Sequence, residues 1–112
     1  MCGRFAADNE TNDLFEEIVA THGYAAVKDW RKHWLANYNV APTQQVQVAR
    51  SRSGDVEIAS VRWGMVPSSS PVFGGGKPVI NARTETVANN GLFKHAFASS
   101  RCIVPAPGYY EW

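Results

Sequence analysis

The stretch from residue 46 to residue 61 constrains the fold more than any other part of the chain. Apolar and polar side chains alternate on both sides of Ser53-Gly54-Asp55, a short segment of turn-forming residues. A period of two is typical of strands with one buried face, and a glycine-containing segment between two such runs is typical of a hairpin. The sequence therefore predicts an antiparallel β-hairpin against which the other segments must pack.

A helix is predicted from Thr11 to His22. Thr11 or Asn12 can cap its first turn, acidic residues favour the positive end of its dipole, and Gly23 suits its end. The apolar residues of this segment recur at helical spacing and form one stripe: Leu14, Phe15, Ile18 and Val19.

The remaining segments are short, and they include predicted helices, strands and loops. Residues 30–45 predict a helical turn followed by a loop, and 67–78 predict a loop because three successive glycines disfavour regular structure. We expect a strand running into a turn at 79–86, a helix in the second half of 87–100, a short buried strand at 101–105 and the start of another at 108–112. This pattern indicates an α+β fold in which short strands dominate.

Composition excludes several classes of protein. The chain has 112 residues, enough for one domain at most, and no apolar run approaches the 18 residues of a membrane span. Two cysteines form no disulfide framework, which favours a reducing, cytoplasmic location. The net charge is +1, but residues 1–30 carry −4 (two basic, six acidic) and residues 31–112 carry +5 (nine basic, four acidic), which allows a basic face.

Cys2 follows the initiator methionine directly. Removal of Met1 leaves a cysteine with a free α-amine and a β-thiol, whose reference pKa values are about 8 and about 8.5. Such a 1,2-aminothiol attacks an aldehyde through nitrogen to form a Schiff base, and its sulfur then closes a five-membered thiazolidine ring. Position alone favours the simpler interpretation that Cys2 is an incidental terminal residue.

Four other positions carry candidate chemistry, each with a structural alternative. Glu111 stands among aromatic residues and suits proton transfer, or it alternates outward on a strand. Asn81 and Arg83, two apart, share one strand face and suit a phosphate or sugar oxygen, or they satisfy nearby backbone. Trp63 is a stacking platform or a core residue.

The second cysteine and the histidines give weaker indications of function. Cys102, next to apolar residues, is expected to pack in the core. The three histidines lie at helix ends or beside charges and are interpreted as surface residues: His22, His33 and His95. No spacing of cysteines and histidines indicates a metal site.

Five segments, in order and across the whole chain, resemble the SRAP family (SOS-response-associated peptidase domain proteins). They are "MCGRF" at 1–5, "NVAPTQ" at 39–44, "RWGMVPS" at 62–68, "INARTET" at 80–86 and "RCIVPAPGYYEW" at 101–112. The resemblance implies a mixed sheet or open barrel of short strands with peripheral helices. It also implies that residues 1–112 are the N-terminal half of a single domain, whose second half supplies further strands and a catalytic histidine.

The resemblance also implies a function. Family members bind single-stranded DNA that contains an abasic site, whose ring-opened sugar exposes an aldehyde, and form a stable DNA–protein cross-link that protects the lesion. Cys2 matches the nucleophile, Asn81 the residue that holds the sugar, and Glu111 the proton shuttle. The implied DNA contacts are Arg4 and Arg83 at phosphates and Pro42, Thr43 and Trp63 along the strand.

The implied protein is a monomer that needs no cofactor or metal. Its enzymatic activity is that of a cysteine autopeptidase, which removes residues before Cys2, together with the lyase-like chemistry of cross-linking. The loop near Ser69 lacks the tryptophan that the family usually carries there, and "PAPGYYEW" differs mildly from the family pattern.

Two other functions remain open from the residues. Cys2 could be the nucleophile of an N-terminal-nucleophile peptidase or amidohydrolase, which turns over an amide instead of retaining an adduct. Alternatively, Arg4, Arg83 and Trp63 could serve a non-covalent single-stranded DNA-binding module.

Overall fold

The computed structural model describes residues 2–22 and 36–111, which form two small antiparallel sheets and two helices. The expected α+β class is confirmed, and both sheets are open. The longest helix among the described residues has 14 residues, fewer than the roughly 20 that are needed to span a bilayer. In chain order the elements are β1 Arg4–Ala7, α1 Asn9–His22, β2 Asn37–Val40, β3 Gln45–Arg52, β4 Asp55–Arg62, α2 Lys94–Ser99 and β5 Gly108–Tyr110.

The predicted hairpin is confirmed as β3 and β4. The two strands pair continuously from Gln45 opposite Arg62 to Arg52 opposite Asp55. Its loop is Ser53-Gly54, and both residues have positive φ, 52° and 85°. A two-residue loop with both φ angles positive matches the twist of the flanking strands, which is why this short segment closes the hairpin.

The second sheet has the order β2-β1-β5 and was not fully predicted. β1 was not foreseen, and β2 lies where a loop was expected; the earlier part of that prediction, residues 30–35, lies outside the described residues. Phe5 of β1 lies opposite Val40 of β2 and Tyr109 of β5. Two short segments with weak individual signals become strands because each finds a partner distant in sequence.

The predicted helix is confirmed, but it begins earlier, at Asn9. The Asp8 carboxylate accepts a hydrogen bond from the backbone N–H of Glu10 at 3.0 Å, so Asp8 caps the helix instead of Thr11 or Asn12. Thr11 is instead buried inside the helix. Phe15 and Val19 of the predicted stripe are buried, and Gly23 lies outside the described residues.

Two predicted strands are wrong. In 79–86 a single bridge joins Val79 to Met65, and in 101–105 a single bridge joins Ile103 to Ala49. Pro78 and Pro105 flank these segments, and proline lacks the N–H that would extend a ladder. Residues 101–104 are exposed, so this segment is not buried either. The predicted loop at 67–78, helix α2 and strand β5 are confirmed.

The hydrophobic core contains residues of both sheets, including β1 near the start of the chain. Phe5 of β1 and Val40 of β2 pack with Val46 and Val48 of β3. Cys2 packs half-buried against this cluster. The core therefore holds the first residues of the chain beside the hairpin.

Candidate functional site

A cavity of about 620 Å³ lies beside the core and contains all three predicted catalytic residues. Cys2, Asn81 and Glu111 line it, and we name it the cysteine cavity. Its wall is mostly apolar and comes from both sheets and from the segments after them. The other lining residues are Phe5, Val46, Val48, Val61, Arg62, Trp63, Gly64, Ile80, Cys102, Val104, Ala106 and Tyr109.

Cys2 is tied to its surroundings by two hydrogen bonds. Its thiol donates to the backbone carbonyl of Arg4 at 3.4 Å, and its own backbone carbonyl accepts from Nδ2 of Asn81 at 3.0 Å. The second bond joins residues 79 positions apart in sequence. The position of Cys2 therefore depends on the segment that carries Asn81.

Trp63 holds that segment in place. The backbone N–H of Met65 donates to the carbonyl of Val79 at 2.8 Å, and the indole Nε1 of Trp63 donates to the carbonyl of Ile80 at 3.3 Å. The indole also packs on Phe5 of β1, with ring centroids 5.3 Å apart. Trp63 thus connects the end of β4 to the residue before Asn81, and its half-buried ring is part of the packing.

Glu111 reaches the cysteine cavity because β5 pairs with β1. Arg4 lies opposite Tyr110 in this antiparallel pair, so the residue after β5 lies beside the residues that precede β1. The Tyr110 hydroxyl donates to the backbone carbonyl of Tyr38 at 2.8 Å and anchors the end of β5 across the sheet. An exposed carboxylate beside the first residues of the chain can exchange protons with both the cavity and water.

The remaining predicted DNA contacts lie outside the lining of the cysteine cavity. Arg4 donates through Nη1 to Oδ1 of Asn39 at 3.3 Å. Pro42 and Thr43 form the turn before β3, and the Thr43 N–H donates to the carbonyl of Trp63 at 2.9 Å. Arg83 is exposed in irregular chain after Asn81, because the strand expected there does not form.

One charged residue of the cavity wall was not predicted as a site residue. Arg62, the last residue of β4, places a cation in a mostly apolar wall. A charged residue at a strand end is usually solvated, so the sequence offered a single signal: its position next to Trp63 in the segment "RWGMVPS".

The expectation that Cys102 packs in the core is wrong. Cys102 is exposed, because the segment around it makes a single bridge, although its thiol still faces part of the cysteine cavity. Partial burial raises the pKa of the Cys102 thiol, so this thiol is protonated at neutral pH and a poor nucleophile.

His95 is exposed on α2 and does not line the cavity, whereas His33 lies outside the described residues. In residues 2–22 and 36–111, no three His, Cys, Asp or Glu side chains are grouped so that they could hold a metal ion.

Comparison with known proteins identifies the family of the chain. The family model of SOS response associated peptidase (SRAP) matches residues 1–112. The chain is 32% identical over 112 residues to abasic site processing protein YobE of Bacillus subtilis (strain 168), covering all of this chain and 49% of the relative. It is 33% identical over 116 residues to abasic site processing protein YedK of Escherichia coli (strain K12), covering 48% of that protein.

A vertebrate relative is more distant. Abasic site processing protein HMCES of Xenopus tropicalis is 28% identical over 133 residues, and the match covers all of this chain and 39% of that protein. The chain spans about half the length of the bacterial relatives it matches. A family match over every residue, on a chain whose cavity joins Cys2, Asn81 and Glu111, means that the chain belongs to the SRAP family.

Proposed function

We propose that this chain captures abasic sites in single-stranded DNA through Cys2 and forms a thiazolidine cross-link that protects the lesion. The observation that carries the proposal is the cysteine cavity, in which Cys2, Asn81 and Glu111 meet although they are far apart in sequence. The names of the relatives support the choice of substrate, since each is an abasic site processing protein.

The proposed reaction begins once Met1 has been removed. The α-amine of Cys2 adds to the aldehyde carbon of the ring-opened sugar, and the resulting carbinolamine loses water to give an imine. The thiol sulfur then bonds to the same carbon, and the thiol proton passes to nitrogen. The sum is one water released and one five-membered ring formed, with no oxidant or reductant consumed.

Asn81 and Glu111 are proposed to assist these steps. The Asn81 amide gives one N–H to the Cys2 carbonyl, and its second N–H and its oxygen can hold the sugar and polarise the reacting oxygen. The Glu111 carboxyl transfers protons during ring opening and loss of water. Arg4 and Arg83 contact phosphates beside the lesion.

The remaining proposed contacts lie along the DNA strand. Pro42 and Thr43 form a turn whose Thr43 N–H donates to the Trp63 carbonyl, which keeps the three residues close together, and the strand is proposed to run past them. Further parts of the proposal are a monomeric protein in a reducing cytoplasm, where Cys2 stays a free thiol, and self-catalysed removal of residues before Cys2. Residues 1–112 are proposed to be the N-terminal half of one SRAP domain.

A denaturing gel tests the central claim. The purified protein is incubated with a single-stranded oligonucleotide that carries one abasic site, and intact-mass measurement establishes that Met1 is absent. We expect a covalent band for the parent protein and none for Cys2→Ala. Cys2→Ser should give at most a labile imine adduct, because oxygen closes the ring less favourably.

Cys102→Ala is the matched control, because this second cysteine also lines the cysteine cavity. It should cross-link like the parent. A Cys2→Ala protein that cross-links as well as the parent would refute the proposal. Release of a peptide without a DNA band would favour the N-terminal-nucleophile peptidase, and salt-sensitive binding without a covalent band would favour the non-covalent binding module.

A further inference from the structure

Arg62 is a cationic side chain that forms no ion pair within the described residues. Among residues 2–22 and 36–111, the ion pairs join Arg50 and Arg52 to Glu57, and no acidic side chain pairs with Arg62. Arg62 is half-buried and is one of the residues that line the cysteine cavity. A guanidinium beside a mostly apolar wall, not paired with any acidic side chain of the described residues, is available to an anionic ligand.

The guanidinium is also held at a defined position. It stacks over the ring of Phe73, with Cζ 5.7 Å from the ring centroid. A Cβ atom on Gly74 would lie 3.4 Å from Cζ, and one on Gly64 would lie 3.4 Å from Nη1. Both glycines have positive φ, 72° and 134°. The backbone therefore passes beside this side chain at both glycines, where a Cβ atom would be in van der Waals contact with the guanidinium.

We propose that Arg62 forms a binding subsite for a DNA phosphodiester beside the cysteine cavity; this rests on the function proposed above. Guanidinium presents planar N–H donors that match two oxygens of a phosphate, and stacking on an aromatic ring leaves those donors free at the edge. A strand that brings an abasic sugar to Cys2 carries a phosphate directly on each side of that sugar. Because the Arg62 guanidinium already contacts the Phe73 ring, part of its side-chain entropy is lost before the phosphate binds.

The salt dependence of DNA binding tests this role. The probe is a single-stranded oligonucleotide with a tetrahydrofuran abasic analogue, which has no aldehyde and so reports binding alone. Each phosphate contact adds about 0.7 to the slope of log affinity against log salt on a single strand. We expect Arg62→Gln to lose about 0.7 of slope, so between 50 and 200 mM salt the parent loses about 2.6-fold more affinity than this variant.

Arg101→Gln is the matched control. Arg101 also stacks over a phenylalanine, Phe97 at 5.6 Å, but it does not line the cysteine cavity. This control should keep the parental slope, and Arg62→Lys should keep it too because the charge remains. Arg62→Met is measured alongside Arg62→Gln, because methionine keeps an apolar stem like that of arginine. It takes the place of Arg62→Gln in the test if the glutamine variant does not fold.

A parental slope in the folded Gln or Met variant overturns the proposal. If the melting temperature of that variant is also lowered, Arg62 only anchors the loop that carries Phe73. The cross-linking proposal is judged separately, on an oligonucleotide with a true abasic site. A parent that forms no covalent band there, but whose slope falls by about 0.7 in Arg62→Gln, refutes the cross-linking and leaves the phosphate subsite standing.

Discussion

Substitution of Asn81 separates the positioning of Cys2 from the other steps of the proposed reaction. Asn81→Ala removes the donor that lies 3.0 Å from the Cys2 carbonyl. A hydrogen bond of this kind contributes about 1 kcal/mol net, which corresponds to about a fivefold change in the population of the anchored position. We therefore expect the cross-linking rate to fall about fivefold from the loss of anchoring, and further if the amide also contacts the sugar.

Asn81→Asp is the sharper variant, because it keeps the shape of the side chain and removes its N–H donors. A carboxylate only accepts hydrogen bonds, so its oxygen would face the Cys2 carbonyl oxygen and repel it. We expect this variant to cross-link more slowly than Asn81→Ala. The sign of this difference depends on the hydrogen bond seen in the structure and not on side-chain volume.

The assay is a single-turnover time course with protein in excess over an abasic-site oligonucleotide, followed on denaturing gels. Thermal unfolding of each variant is recorded in parallel, so that slower cross-linking is not confused with loss of folded protein. Asn89→Ala, at an exposed asparagine in a turn, is the control and should match the parent. An Asn81→Asp protein that cross-links at the parental rate would show that this bond does not position Cys2.

Two predictions concern stability. The hydrogen bond from Arg50 lowers the pKa of Glu57, so this pair stabilises the hairpin at neutral pH, and its contribution is lost as pH falls through the lowered pKa. The melting temperatures of the parent and Glu57→Gln should therefore differ at pH 7 and converge in acid, as the pH falls through the lowered pKa of Glu57; a difference that grows in acid would contradict this. Gly64→Ala, at φ 134°, should lower the free energy of unfolding in urea by about 1–3 kcal/mol. Gly91→Ala, whose Cβ meets nothing within 4 Å, should stay within about 0.5 kcal/mol of the parent, and an equal loss in both would refute the strain argument.

The elements that were predicted correctly carry their signals locally. The hairpin has its alternation and its Ser53-Gly54 turn side by side, and α1 has its apolar stripe within four turns. By contrast, β1 and β2 have four residues each and depend on one another and on β5. The strands expected at 79–86 and 101–105 do not form, because neither segment has a strand to pair with along its length. Strand propensity reports a residue's fit to a sheet and not the presence of a partner.

The candidate site was predictable only through the family resemblance. From the residues alone, Cys2, Asn81 and Glu111 each had a structural interpretation that was at least as plausible, and nothing local indicated that they share a cavity. Arg62 was missed because its setting depends on Phe73 and Gly74 of the glycine-rich loop, which come near it only in three dimensions.

The pairing of β1 with β5 has a consequence for the order of folding. Phe5 meets Tyr109 across more than a hundred residues of intervening chain, whereas the hairpin closes over a two-residue loop. Closing the longer loop costs more entropy, so we expect the hairpin to form early and β5 to dock last. On the function proposed above, Cys2 would have no Glu111 carboxyl beside it until that final docking. Cross-linking activity would then mature only at the end of folding.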